Sequence, residues 1–313
     1  MAPPHEGADG HGVRNRAGLL LLGIAIFASN FQGESLTTIR KTVTQVGLTL
    51  VATDGSGRFL SQLSPADIAV LDDGQTVSNF ELRAASDYPL RIGIMLDLSD
   101  STRKSWPLTE PLLTKFLQDL VRPSDRMLLV GFDSRVEMER PFSDLHEASS
   151  LIHELRGGGP TALYDAIYST CQHATFVPQA EPSRSALVLF SDGEDNLSLR
   201  DLDQAIQSAQ SKAIAVYTIS VHRRRAQTPG DQVLHKIAEA TGGRDFVVRD
   251  GRQMQAALFT INSELRSYYM LYYTPQNEPR QRVFRRVRVV PARGTAPILR
   301  YREGYYTSPD PAR

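Results

Sequence analysis

Four apolar runs recur along the middle of this chain: RIGIMLDL, MLLVGF, ALVLFSDG and AIAVYTISV. Few architectures accommodate them. A strand with one wet face alternates apolar and polar residues, whereas a continuous apolar strand must be covered on both faces, as in a parallel sheet. The segments between the runs are long enough for covering helices. Apolar residues at helical spacing predict one over Trp106 to Val121, with Leu112, Leu113, Phe116, Leu117 and Leu120 inward. Others are expected around Leu145 to Leu155, in the second half of GGGPTALYDAIYSTC, near Leu202 to Lys212, near Leu234 to Ala240, and from Met254 to Ser267. VEMERPF and RDFVV add two shorter strands. Strands alternating with helices in this way predict an α/β fold with a doubly wound, mostly parallel sheet.

Both flanks are β-rich. VTQVGLTLVATDGSG reads as a strand with Val46, Leu48 and Leu50 on one face. DIAVLDDGQTVSNFEL reads as two strands about Asp72–Asp73–Gly74, because Asp-Gly tolerates the positive φ of a tight hairpin. In the tail, SYYMLYY, VFRRVRVV and LRYREGYY are expected strands. Val283, Val287 and Val289 share one parity and Phe284 does not, so a bulge is expected near Arg285–Arg286. Arg282, Arg285, Arg286 and Arg288 are expected on an exposed face. The tail should pair with the opening segment, making a small β-sandwich or mixed sheet in which the α/β domain is inserted or which flanks it. The expected division is 1–33 leader, 40–88 and 268–307 β module, and 89–267 α/β domain.

Equal numbers of acidic and basic side chains, 35 of each, give no general attraction to nucleic acid or an anionic membrane. The single cysteine, Cys171, excludes an internal disulfide and a cysteine-rich metal cluster; its helical, apolar setting predicts a buried thiol. Arg14 and Arg16 precede the uncharged run Ala17 to Ala28. That order matches a secretory signal with Ala28 last before cleavage, and predicts an exported protein, periplasmic, cell-surface or extracellular. Extended to Gly33, the run would be a marginal N-terminal membrane anchor; a buried helix is the alternative. No cysteine follows for lipid attachment.

The loop after the first apolar run is DLSDS. In open α/β sheets, ligands sit beyond the carboxyl ends of the strands. Asp97, Ser99 and Ser101 place one carboxylate and two hydroxyls at alternate positions there. Thr161 closes the glycine-rich loop GGGPT, and Asp192 follows the strand ALVLFS. Hard oxygen donors of this kind suit Mg²⁺, or Ca²⁺ or Mn²⁺. Two carboxylates nearly neutralise the ion and the hydroxyls add no charge, so it stays able to accept a partner's Asp or Glu carboxylate in place of water. Asp165, Glu194 and Asp195 are near in sequence, either as outer groups or as solvent-facing acids.

DLSDS, GGGPTALYDA and FSDGED together resemble the metal-ion-dependent adhesion site of von Willebrand factor A domains, whose pattern is Asp-x-Ser-x-Ser, then Thr, then Asp. The resemblance places the ligands at Asp97, Ser99, Ser101, Thr161 and Asp192, the serines and, depending on state, the threonine bound directly. Asp100 stands where that family usually has glycine. DIAVLDDG, GGGPTALYDAIY, ALVLFSDGED, ATGGRDF, LRSYYMLYYTP and REGYY further resemble the von Willebrand A-related proteins common in acidobacteria, over residues 43 to 307. The resemblance implies a sheet of about six strands with one antiparallel edge, and a protein-binding role.

A Mg²⁺-dependent hydrolase is the first rival reading. Position 99 is serine, so an Asp-x-Asp nucleophile loop is missing, as are GxGxxG, GxxxxGK[ST] and GxSxG motifs. His146, His153, His173, His222 and His235 lack zinc spacing. The second rival is a structural or assembly protein of the cell envelope with an incidental metal loop. The basic stretch His222 to Arg225, at a strand end near the metal rim, is a candidate for recognising an acidic partner.

Overall fold

In the computed structural model, residues 45–85, 88–142, 144–176, 183–221, 226–276, 281–292 and 297–307 are described. The leader and the basic stretch His222 to Arg225 lie outside them. Among the described residues no helix is long and apolar enough to cross a membrane.

The chain opens with β1 (Val46–Thr53), whose Val46, Leu48 and Leu50 are buried on one face. The Asp-Gly hairpin forms between β2 (Ile68–Asp72) and β3 (Gln75–Thr76). Asp73 at φ 48° and Gly74 at φ 78° supply the two left-handed residues that such a turn needs. The hairpin's second strand is shorter than expected. Val77 turns inward, and the chain crosses by Ser78–Asn79 to resume as β4 (Phe80–Ala84) in a different sheet.

The alternating part follows: β5 (Leu90–Asp97), α1 (Trp106–Leu120), β6 (Arg126–Phe132), β7 (Val136–Phe142), α2 (Leu145–Glu154) and α3 (Leu163–Gln172). Then come β8 (Arg184–Phe190), α4 (Leu202–Ser211), β9 (Ile214–Val221), α5 (Pro229–Thr241), β10 (Asp245–Val248) and α6 (Gly251–Arg266). Side-chain caps set several helix starts. Asp144, Asp201, Thr228 and Asp250 each accept a backbone N–H from the first turn of α2, α4, α5 and α6. Thr228 with Pro229 explains why α5 begins well before Leu234: cap and proline fix its first turn ahead of the apolar stripe.

These strands form one sheet in the order β10-β9-β8-β5-β6-β7. All neighbours are parallel except the β6–β7 edge pair, which is antiparallel with an irregularity at Gly131/Phe132. α1, α2 and α6 contribute to the core on one face, and α3, α4 and α5 to that on the other. Cys171 is buried on α3, and desolvation pushes its thiol up to about 12. Connections run outward from β5 in both directions, to β6 on one side and later to β8 on the other. The strand order therefore reverses beside β5, which opens a crevice at its carboxyl end.

The chain returns to strands with β11 (Tyr269–Tyr273), β12 (Phe284–Pro291), β13 (Ile298–Tyr301) and β14 (Gly304–Tyr306). LRYREGYY, read as one strand, is thus two, and they enter different sheets. One sheet runs β13-β1-β11-β4 and the other β14-β12-β2-β3. Each combines strands from both ends of the chain. Their facing residues, Val46, Leu48 and Leu50 with Val70, Val287 and Val289, share a single apolar cluster. No bulge interrupts β12: Arg285 itself takes the inward position that the valine parity requires. It is buried rather than exposed, and its Nε donates to Asp72 at 2.8 Å, while the Tyr305 hydroxyl donates to the same carboxylate at 2.9 Å. A buried guanidinium is tolerated there because its counter-charge is buried with it. Arg282, Arg286 and Arg288 are exposed, as expected.

Candidate metal centre

Asp97 ends β5 at the crevice, with only 5% of its surface exposed. Its neighbour β8 pairs Leu96 with Phe190, which brings Ser191 alongside. The Ser191 hydroxyl donates to Asp97 Oδ2 at 2.6 Å, and the Ser99 amide donates to Oδ1 at 3.0 Å. The loop closes on itself through Thr102, whose hydroxyl lies within hydrogen-bond reach of the Asp97 and Ser99 carbonyls at 2.7 and 3.0 Å. The Ser99 and Ser101 hydroxyl oxygens lie 3.1 Å apart. Burial pushes the Asp97 carboxyl up to about 6, against the bonds from Ser191 and Ser99, and the nearby Asp192 charge adds to the rise.

Thr161 sits in the loop ahead of α3, and that loop spans three strand ends. Gly158 N donates to Asp133 Oδ2 at 3.2 Å and Ala162 N to the Asp133 carbonyl at 2.7 Å, just past β6. Asp100 N donates to the Gly159 carbonyl at 3.2 Å, on the β5 side. On the β8 side, Thr161 N donates to Asn196 Oδ1 at 2.8 Å, and its carbonyl accepts from Asn196 N and Leu197 N. Thr161 is itself buried. Asp192 is half-buried, and its Oδ1 accepts from Glu194 N at 3.2 Å.

Asp97, Ser99 and Ser101 are therefore brought together directly, with Asp192 close enough to raise Asp97. Thr161 is fixed to the same three loops. Asp100, in place of glycine, is exposed; it pins the glycine-rich loop through its backbone and faces Arg103 at 3.8 Å. Asp195 and Asp165 fasten a neighbouring loop: Asp195 accepts the Ser198 hydroxyl at 2.6 Å, and Asp165 pairs with Arg200 at 2.9 Å. Glu194 is exposed.

Three residues were not expected: Asp133, Ser191 and Asn196. Asp133 follows MLLVGF as Asp97 ends RIGIMLD, a parallel that the sequence does display. The roles of Ser191 and Asn196 come from strand pairing and loop contact, which leave no mark in sequence. Among the described residues no group of three or more His, Cys, Asp or Glu side chains could hold a metal. The expected donors, Asp97, Ser99, Ser101, Thr161 and Asp192, are instead two carboxylates and three hydroxyls. A buried carboxylate whose charge is made costly by desolvation, beside a second acid and a pair of hydroxyl oxygens 3.1 Å apart, fits a small hard dication.

Among solved structures, BatB from Bacteroides thetaiotaomicron aligns at 17% identity over 56% of this chain and 98% of its own, TM-score 0.45. An aerotolerance-related membrane protein from Bacteroides fragilis aligns at 19% identity over 56% and 98%, TM-score 0.46. A von Willebrand factor type A structure from Catenulispora acidiphila aligns at 14% identity over 77% and 73%, TM-score 0.48. No curated protein matches the sequence. The sequence profile of the von Willebrand factor type A domain matches residues 92–260, more than half of the chain. This chain belongs to the von Willebrand factor type A domain family.

Proposed function

We propose that this protein is a metal-dependent protein-binding module, in which Asp97, Ser99, Ser101, Thr161 and Asp192 hold Mg²⁺, or Ca²⁺ or Mn²⁺ in its place. Domains of this family are commonly protein-interaction modules. Bound there, the ion would supply a Lewis-acidic position for an Asp or Glu carboxylate of a partner protein. The residues of this chain do the rest. Ser191 and the Ser99 amide aim the Asp97 carboxylate, the 3.1 Å Ser99–Ser101 spacing presents two hydroxyl oxygens together, and the Asn196 contact seats Thr161. The observation that carries the reading is the buried Asp97 carboxylate, aimed by Ser191 and the Ser99 amide beside the paired Ser99 and Ser101 hydroxyls at the reversal point of the sheet.

In this reading residues 89–267 are the interaction domain, and 40–88 with 268–307 form the sandwich that displays it. Export follows from the Ala17 to Ala28 run, and the acidobacterial subgroup from DIAVLDDG and REGYY. Nothing favours nucleic acid as a partner.

Calorimetric titration with Mg²⁺, Ca²⁺ and Mn²⁺ tests the site. The unaltered protein should take up one ion, and Asp97→Ala and Asp192→Ala should each weaken uptake at least about tenfold, as loss of a charged ligand predicts. Equal binding by all three proteins, or none by any, rejects the site.

A further inference from the structure

The loop after Asp192 carries two large apolar residues in water. Leu197 is 48% exposed and Leu199 94% exposed. A lone exposed leucine is ordinary. Here two occupy alternate positions of one loop, and Ser198 between them turns back to Asp195 at 2.6 Å. Among the described residues, the other strongly exposed large apolar side chains, Phe259, Val283 and Ile298, lie on other parts of the chain.

The loop is rigidly fastened. Leu197 N donates to the Thr161 carbonyl at 3.1 Å, so this leucine adjoins a proposed metal ligand. Leu199 N and Arg200 N donate to the Asp165 carboxylate at 2.9 and 3.2 Å. The Arg200 guanidinium pairs with Asp165 and stacks 3.9 Å over the Tyr168 ring. Tyr164 N donates to Asp195 at 3.3 Å. These bonds hold the backbone of 195–200 against the first turns of α3 while both leucine side chains point away from the core. Apolar side chains on a backbone fixed in advance lose little freedom when they are buried by a partner.

We propose that Leu197 and Leu199 form an apolar prong beside the metal, and that the partner is a protein surface offering a carboxylate next to a shallow apolar recess. This rests on the metal reading above. The ion engages the acid, and the prong supplies what a free carboxylate anion cannot match, so a small organic acid is a poor substitute for the protein partner.

The test pans a phage-displayed random peptide library against the full chain, in Mg²⁺ and in chelator. Synthetic copies of enriched peptides are then measured by fluorescence polarisation on the unaltered protein and on Leu197→Ser/Leu199→Ser. Both side chains lie outside the core and the loop's bonds are made by other atoms, so the variant should keep its melting temperature and its Mg²⁺ titration. Expected are peptides that combine Asp or Glu with a large apolar residue, bound on the order of ten- to a hundredfold more weakly by the double variant. Enriched peptides without an apolar residue, no enrichment at all, or equal affinity for both proteins would overturn the prong. If calorimetry shows no Mg²⁺ uptake while apolar peptides bind in chelator and lose affinity in the double variant, the metal reading falls and the prong stands.

Discussion

At the scale of single residues, the site centres on a carboxylate held where ionisation is costly. With no metal, the native Asp97 carboxyl sits at about 6 against an ordinary 3.8. Between these values the folded chain keeps a proton that the unfolded chain has released. Stability therefore falls as pH rises through this window, by on the order of 3 kcal/mol in all, and the penalty is absent below it. In chelator, the protein should melt at a higher temperature at pH 5 than at pH 7. Asp97→Asn should flatten that difference relative to the unaltered chain, and Mg²⁺ should raise the neutral melting temperature of the unaltered chain alone. A pH response identical in both proteins would show that Asp97 ionises freely. The grouping of Asp97, Ser99 and Ser101 was readable because DLSDS sets them at alternate positions of five consecutive letters. Ser191 was not, because its significance arises from β8 ending beside β5.

At the scale of elements, the apolar runs identified the central strands because a doubly covered strand has no alternative composition. Segments that change sheets were harder to read. QTVSNFEL and LRYREGYY are each cut in two, and a period-two pattern does not say which sheet the next residue will join. Arg285 was misplaced for a related reason: a charge on an inward position makes sense only once Asp72 faces it across β2 and β12. The approach of α5 to the site was also hidden in sequence. A Cβ on Gly230 would fall 2.0 Å from the Asp192 carbonyl oxygen, and one on Gly193, at φ 79°, would fall 2.2 Å from the Gly230 carbonyl oxygen. The first turn of α5 thus rests backbone to backbone on the loop that carries Asp192. Gly230→Ala should cost about 1–3 kcal/mol of stability by overpacking and displace Asp192, weakening Mg²⁺ uptake as well. Denaturant melts and calorimetry measure the two effects. Lost stability with undiminished Mg²⁺ affinity would separate α5 from the site.

For the whole molecule, the question is how the central sheet and the flanking strands hold together. Residues Val43–Arg313 form one compact unit, yet the apolar cluster of the flanking sheets is distinct from the two that cover the central sheet. Much of what joins them is buried and polar. Glu264, on α6 and 5% exposed, receives Arg244 at 3.0 Å and Arg300 of β13. Arg184, at the start of β8, donates to the Glu264 carbonyl and to the Tyr217 hydroxyl, and stacks 4.4 Å over Tyr268 where the chain leaves α6 for β11. Arg302 bridges the Gln210 carbonyl at the end of α4 to the Gly47 carbonyl of β1. Removing one carboxylate strands two guanidinium groups, and a half-broken buried pair costs about 3–5 kcal/mol. Because Arg244 and Arg300 keep some access to water, the lower end of that range applies to Glu264→Ala. The single tryptophan, Trp106 at the head of α1, reports on the central sheet, whereas Tyr269, Tyr273, Tyr301 and Tyr305 cluster in the sandwich. In the unaltered protein, Trp fluorescence and near-ultraviolet tyrosine dichroism should report one denaturant midpoint. In Glu264→Ala the two midpoints should fall and separate, because the flanking sheets lose their hold on α6 before the central sheet gives way. Two probes that still coincide, at an unchanged midpoint, would place the coupling in contacts other than this carboxylate.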